Sequence, residues 1–272
     1  MTFQQKLDAM VTKNNSLLCV GLDSDWEKLP ENIKSIEYPQ FEFNKAIIDV
    51  THDLVCGYKP NSAFYEYLGS EGIRQLKLTC DYIREQHPEI PIILDAKRAD
   101  IGSTNKGYVS FAFDYLKADA ITLHPYLGKE ALQPFLNEKD KGCIILCRTS
   151  NRGAKEFQDQ LIDGDPLYMV VARKVVNEWN ENSNCMLVVG ATYPDELAHI
   201  RAVAGDMTLL VPGIGAQGGD VEKTVKAGLN SKKMGMIINS SRGIIFASSG
   251  ANFAERARAE ALKLRDEINQ YR

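Results

Sequence analysis

Eight short apolar runs, each separated from the next by enough chain for one helix, constrain this sequence more than any other feature. They are LLCVGLD (17–23), CGYKPN (56–61), PIILDAK (91–97), AITLHPY (120–126), GCIILCRTS (142–150), CMLVVGAT (185–192), TLLVPGIG (208–215) and GMIINSS (235–241). Between them lie amphipathic stretches at 42–53, 70–87, 104–117, 166–180, 194–203, 219–227 and 252–271, with charged residues interleaved at helical spacing. Strands that are apolar on both faces must be covered on both faces, and parallel strands need a crossover between them. Eight strand–helix units close naturally into a (β/α)8 TIM barrel, and 272 residues fit the typical barrel length of about 250. A doubly wound open sheet is the competing architecture. No Gly/Ser linker or change of composition divides the chain, so residues 1–272 are expected to form one domain. Residues 2–12 read as an extra N-terminal helix capping the bottom of the barrel.

In a barrel the chemistry sits where strands end and the following loops begin. The polar residues at those ends are Asp23, Lys59, Asp95, Lys97, Asp100, His124, Ser150, Thr192, Gln217 and Arg242. In LDAKRAD (94–100) Asp95 and Lys97 are two residues apart at the end of an apolar strand, a spacing that sends both side chains to one face. Such a pair is commonly a solvated loop; its place at a strand end points instead to a site. The formal charge of −4 argues against a general nucleic-acid binder, so any anionic ligand must be held by local positive groups. PGIGAQGGD offers glycine backbone N–H groups followed by a helix N-terminus, and NSSRGI offers the guanidinium of Arg242. A lone Gly-x-Gly is usually only a tight turn, and Asp23, beside Asp25, could equally cap a helix. The six cysteines are scattered and only Cys143 and Cys147 lie close, which suggests buried thiols rather than zinc. His52, His87 and His199 match no metal spacing. The N-terminal stretch lacks the apolar core of a signal peptide, no run approaches 18 apolar residues, and a cytoplasmic protein without membrane contact is expected.

The segment ILDAKRADIGST resembles the Asp-x-Lys-x-x-Asp signature of the orotidine 5′-phosphate decarboxylases, in the longer bacterial-type form where Arg-Ala-Asp-Ile follows the lysine. GLDSD (21–25), GYKPNSAFYE (57–66), VPGIGAQGGD (211–220) and NSSRGI (239–244) resemble further family segments in the same order, so the likeness runs over nearly the whole chain. The resemblance implies decarboxylation of orotidine 5′-monophosphate to UMP without metal or cofactor. It makes Lys97 the proton donor to C6, flanked by Asp95 and Asp100, with Lys59 as the second lysine of the charged network. Asp23 and Lys59 would hold the ribose, Ser150 the amide edge of the pyrimidine, and Gln217 with Arg242 the phosphate, under a lid at 211–220. The surroundings of Ser150 depart from the Ser-His-Pro-Gly form of some relatives. His124 is structural on this reading. A homodimer is implied, with Asp100 and Thr104 completing the partner's site.

The chemistry is consistent with these roles. Loss of CO2 from C6 leaves a vinyl-type carbanion with no adjacent carbonyl, so stabilisation must be electrostatic, and a fixed ammonium can first attract that charge and then protonate it. Two rivals remain: a Mg2+-dependent sugar-phosphate enzyme that shares the motif, and a silent barrel that only binds nucleotides.

Overall fold

The computed structural model describes residues 1–214 and 219–272. Eight parallel strands form its centre: β1 (Leu18–Gly21), β2 (Gly57–Lys59), β3 (Ile93–Arg98), β4 (Ala120–Leu123), β5 (Gly142–Arg148), β8 (Cys185–Val189), β9 (Leu209–Pro212) and β10 (Met236–Ser240). The two remaining strands, β6 (Leu161–Ile162) and β7 (Asp165–Pro166), make a small antiparallel hairpin in the loop after β5. The hydrogen-bonded order of the large sheet runs β2-β1-β10-β9-β8-β5-β4-β3. Bridges Tyr58↔Ile92 and Asn61↔Asp95 join its two ends, so the sheet closes on itself. This is the TIM barrel expected from the sequence, and the open-sheet alternative is excluded.

Burial explains why these runs became strands. Every residue of β1, β2, β4, β8 and β10 is buried, because helices cover the outside while side chains fill the inside. Tyr58 shows the alternation at work: its ring is fully buried and its hydroxyl meets Thr51 Oγ1 at 2.8 Å in the covering helix Pro39–Thr51, while the next residue, Lys59, turns to the cleft.

The helix Phe3–Lys13 lies across the bottom of the barrel. Thr2 and Gln5 form a reciprocal capping box at its start, and Phe3, Leu7, Met10 and Val11 are buried. Gly142, at the first position of β5, has no side chain because a Cβ there would stand 2.6 Å from the Phe3 ring. Lys6 and Arg84 both pair with Asp119, which also accepts the Ile92 N–H, tying this helix to the strand starts.

Two elements carried no clear sequence signal. The helix Gly128–Leu136 between β4 and β5 starts at a glycine with φ +80° and contains Pro134, which interrupts the periodic pattern. The β6–β7 hairpin is too short to register as alternation. All six cysteines are buried free thiols, and Cys19 is pushed up to about 12 by desolvation. Among the described residues, no helix is long and apolar enough to cross a membrane.

Candidate active site

At the C-terminal ends of the strands lies a cleft of about 500 Å³, lined by Asp23, Lys59, Asp95, Lys97, Ser150 and Arg242 among others. Six residues from five different strand ends, spread over 220 positions of sequence, thus meet at one rim because every parallel strand finishes on the same side.

Asp95 is the hub. Its carboxylate is nearly sealed from solvent and accepts four hydrogen bonds: Lys59 Nζ (2.8 Å) and Asn61 Nδ2 (3.3 Å) donate to Oδ2, and Lys97 Nζ (2.7 Å) and Thr122 Oγ1 (2.9 Å) donate to Oδ1. Burial alone would raise its pKa, but the two ammonium groups outweigh that and hold the carboxyl well below the usual carboxylate range. Burial likewise works against the charged form of Lys59, and the carboxylates of Asp95 and Asp23 more than offset it, so its pKa is raised. Both groups are therefore ionised across the neutral range.

Lys97 reaches this arrangement by a route the spacing argument did not foresee. The register of β3 against β4 shifts between Leu94 and Arg98, and Lys97 sits in left-handed backbone at φ +48°. Few non-glycine residues adopt that conformation, and where they do the surroundings must enforce it. Thr122 supplies the enforcement: its Oγ1 accepts the Lys97 N–H at 2.9 Å while donating to Asp95. The Lys97 side chain is 48% exposed, against 4% for Lys59, so Lys97 is the ammonium that faces the contents of the cleft.

Asn61 and Thr122 were not singled out from the sequence as site residues. Each had a weak signal: Asn61 falls within the family-like GYKPNSAFYE, and Thr122 is a polar residue in an otherwise apolar strand.

Asp23 lines the cleft with Oδ1 unpartnered among the described residues. The helix-capping alternative falls instead to Asp25, whose side chain accepts the Glu27 N–H at the start of a short helical turn. Ser150 lines the opposite wall and packs against Gly190, where a Cβ would stand 2.9 Å from the serine Cβ. The preceding residue is fixed as well: Thr149 N–H and Arg148 Nη1 both donate to Gln158 Oε1, at 2.9 and 3.4 Å. Arg148 itself is 1% exposed, lies between the Tyr168 and Tyr193 rings, and reaches Asp159 at 3.1 Å. Sequence reasoning gave it no role, since a strand-end arginine looks like a solvated charge.

The anion-binding expectations divide. Arg242 lines the cleft, where its guanidinium is the cation nearest the end of the last strand. Gln217 and the centre of the 211–220 loop lie outside the described residues. The helix that follows, Val221–Gly228, is capped by its own Asp220, whose carboxylate accepts the Lys223 N–H at 2.9 Å. Arg242, Pro212 and Gly213 line the cleft.

Asp100 and Thr104 do not line the cleft of their own chain. Asp100 Oδ1 accepts the Ile101 N–H at 2.6 Å, and Thr104 is exposed on the helix Gly102–Val109. His124 also stands outside the cleft, its N–H donating to Arg98 O. His52 and His87 stack on each other at 4.3 Å far from it. No group of three or more His, Cys, Asp or Glu side chains placed to hold a metal occurs among the described residues.

Comparison with known proteins agrees with this geometry. The profile of the family described as "Orotidine 5'-phosphate decarboxylase / HUMPS family" matches residues 16–257. A protein of Cellvibrio japonicus named orotidine 5′-phosphate decarboxylase is 52% identical over 271 residues, 99% of this chain and 98% of that one. One of the same name from Janthinobacterium is 49% identical over 271 residues, 100% of this chain and 99% of its own length. Among solved structures, Leishmania donovani OMP decarboxylase superposes with a TM-score of 0.87 at 39% identity, covering 100% of this chain and 99% of that one.

Proposed function

Since the chain belongs to the orotidine 5′-phosphate decarboxylase family and catalyses the decarboxylation of orotidine 5′-monophosphate to UMP in pyrimidine biosynthesis, we propose how its own residues divide that work. Lys97 is the proton donor to C6. Its ammonium faces the cleft, and Asp95 and Thr122 fix its position from both sides. As CO2 leaves, that positive charge stabilises the carbanion developing at C6, and the same Nζ–H then delivers its proton to the carbon. Lys59 stays bound to Asp95 and keeps that carboxylate ionised beside Lys97.

Enzymes lower barriers by about 8–23 kcal/mol, more than one ammonium supplies, so remote contacts must contribute. Arg242 and Gln217 hold the phosphate, Asp23 with Lys59 the ribose, and Ser150 the amide edge of the pyrimidine. Asp100 and Thr104 serve the site of a second subunit in a homodimer. Their position outside their own cleft supports this, as does the exposed Ile101 between them, which is 61% accessible. The whole chain works as one domain, and its six reduced thiols support a cytoplasmic location.

The observation that carries the reading is one buried carboxylate gripped by two lysines that both line the cleft, of which Lys97 is by far the more exposed. It also disfavours the Mg2+-dependent alternative, because both oxygens of Asp95 are already occupied by ammonium groups. The test is loss of orotidine monophosphate absorbance in metal-free buffer, run beside Lys97→Ala. Equal turnover in the two proteins, or turnover that EDTA abolishes, would refute it.

A further inference from the structure

Ser150 lies beyond Arg148, the last residue of β5 that pairs with a neighbouring strand, so the sheet ladder does not hold it. Gly190 sets its position from one side. From the other side the turn is held by Gln158, which ends the short helix Lys155–Gln158 and sends its side chain back to the start of the connection. Its Oε1 accepts the Thr149 N–H at 2.9 Å and Arg148 Nη1 at 3.4 Å, and its Nε2 donates to Thr149 Oγ1 at 2.7 Å. That hydroxyl in turn donates to Asn151 Oδ1 at 2.7 Å. Both neighbours of Ser150 are thus tied to one amide, Thr149 directly and Asn151 through the threonine hydroxyl. Arg148, 1% exposed, anchors the amide to the barrel wall.

The arrangement requires an amide. The Thr149 N–H and the Arg148 guanidinium can only donate, so the atom between them must accept. The Thr149 hydroxyl gives its proton to Asn151, so the atom facing it must donate. Glutamine supplies an acceptor and a donor from one planar group; glutamate lacks the donor and leucine lacks both. Although Gln158 lines the cleft, its oxygen is taken up by two donors of its own chain. We infer that Gln158 is a positioning residue: it holds the turn 149–151 so that Ser150 meets the amide edge of the pyrimidine, and does not itself touch the nucleotide. This rests on the assignment of Ser150 made above. A recognition group has to be held within about 0.5 Å of its working place by neighbours that are themselves fixed, which a turn outside the sheet obtains only from side chains.

The test is a double-mutant cycle read on two ligands, UMP and ribose 5-phosphate, which lacks the pyrimidine. Ser150→Ala removes a neutral hydrogen bond and should weaken UMP about two- to tenfold. A residue that acts through Ser150 should cost no more than that. Gln158→Leu is therefore expected to weaken UMP within the same range, to leave ribose 5-phosphate unchanged, and to add nothing in the Ser150→Ala background. Gln158→Glu keeps the acceptor and loses only the donor to Thr149, so a smaller loss confined to UMP is expected; it decides the question if a melting curve shows the leucine variant unfolded. Losses that add in the double variant would make Gln158 a ligand contact in its own right. Equal losses for both ligands would make it a general support of the cleft, and no loss for UMP in a folded variant would leave it idle; each of these overturns the inference. If Ser150→Ala by itself spares UMP, the pyrimidine assignment of Ser150 falls first and takes the inference with it.

Discussion

Lys59 and Asp95 form an ion pair of 2.8 Å whose side chains are 4% and 11% exposed, at the floor of a cleft that a nucleotide must fill. Buried pairs of this kind are weak evidence for stability, because desolvation consumes most of the attraction, but removing one partner leaves an uncompensated charge. Asp95→Ala should therefore destabilise the fold by about 3–5 kcal/mol. The bare Lys59 would then have its pKa depressed in the folded state, so the variant should gain stability as pH rises toward the unfolded lysine value near 10.4. Denaturant melts at several pH values check this; a variant whose stability fell over that range would contradict it.

In the wild type the signs are reversed. The Asp95 pKa is depressed, so its contribution is present above the unfolded value of about 3.9 and is lost as pH falls further. The Lys59 pKa is raised, so its contribution is complete below about 10.4 and is lost only at more alkaline pH. Stability from this pair should be flat between about pH 5 and pH 9. A step near pH 7 that disappears in Asp95→Asn would show that the pair titrates in the neutral range.

Lys97→Ala should lower kcat by at least about 10²- to 10⁴-fold, the usual worth of a positioned proton donor, and by more if the ammonium also steadies the carbanion. UMP should still bind, since Arg242, Ser150 and Asp23 are untouched. Stopped assays with titration calorimetry separate the two effects, and unchanged turnover would remove Lys97 from the chemistry.

Arg242→Ala should weaken binding of nucleotides that carry the 5′-phosphate by about 1.5–3 kcal/mol, the range for a hydrogen bond to a charged group. Uridine, which lacks the phosphate, should bind both proteins alike. Equal loss for UMP and uridine would assign Arg242 to another part of the ligand.

Arg148→Ala removes a fully buried side chain from between two tyrosine rings and should cost about 3 kcal/mol of stability. Because Arg148 and Thr149 share Gln158, the loop bearing Ser150 should loosen, raising KM more than it lowers kcat. A KM equal to that of the wild type would confine the residue to folding.

The sequence alone determined the barrel and most of the residues at its rim. Strand runs at helix-length intervals admit few closed arrangements, and parallel strands all deliver their last residues to one side, so Asp23, Lys59, Asp95, Lys97, Ser150 and Arg242 could be grouped before any coordinate was known. Only the tertiary structure decided how they are held. The left-handed backbone of Lys97 and the bridging hydroxyl of Thr122 depend on backbone geometry and on a contact between residues distant in sequence. Periodicity says which face a side chain takes; it carries no information about which hydrogen-bond partner another strand brings to meet it.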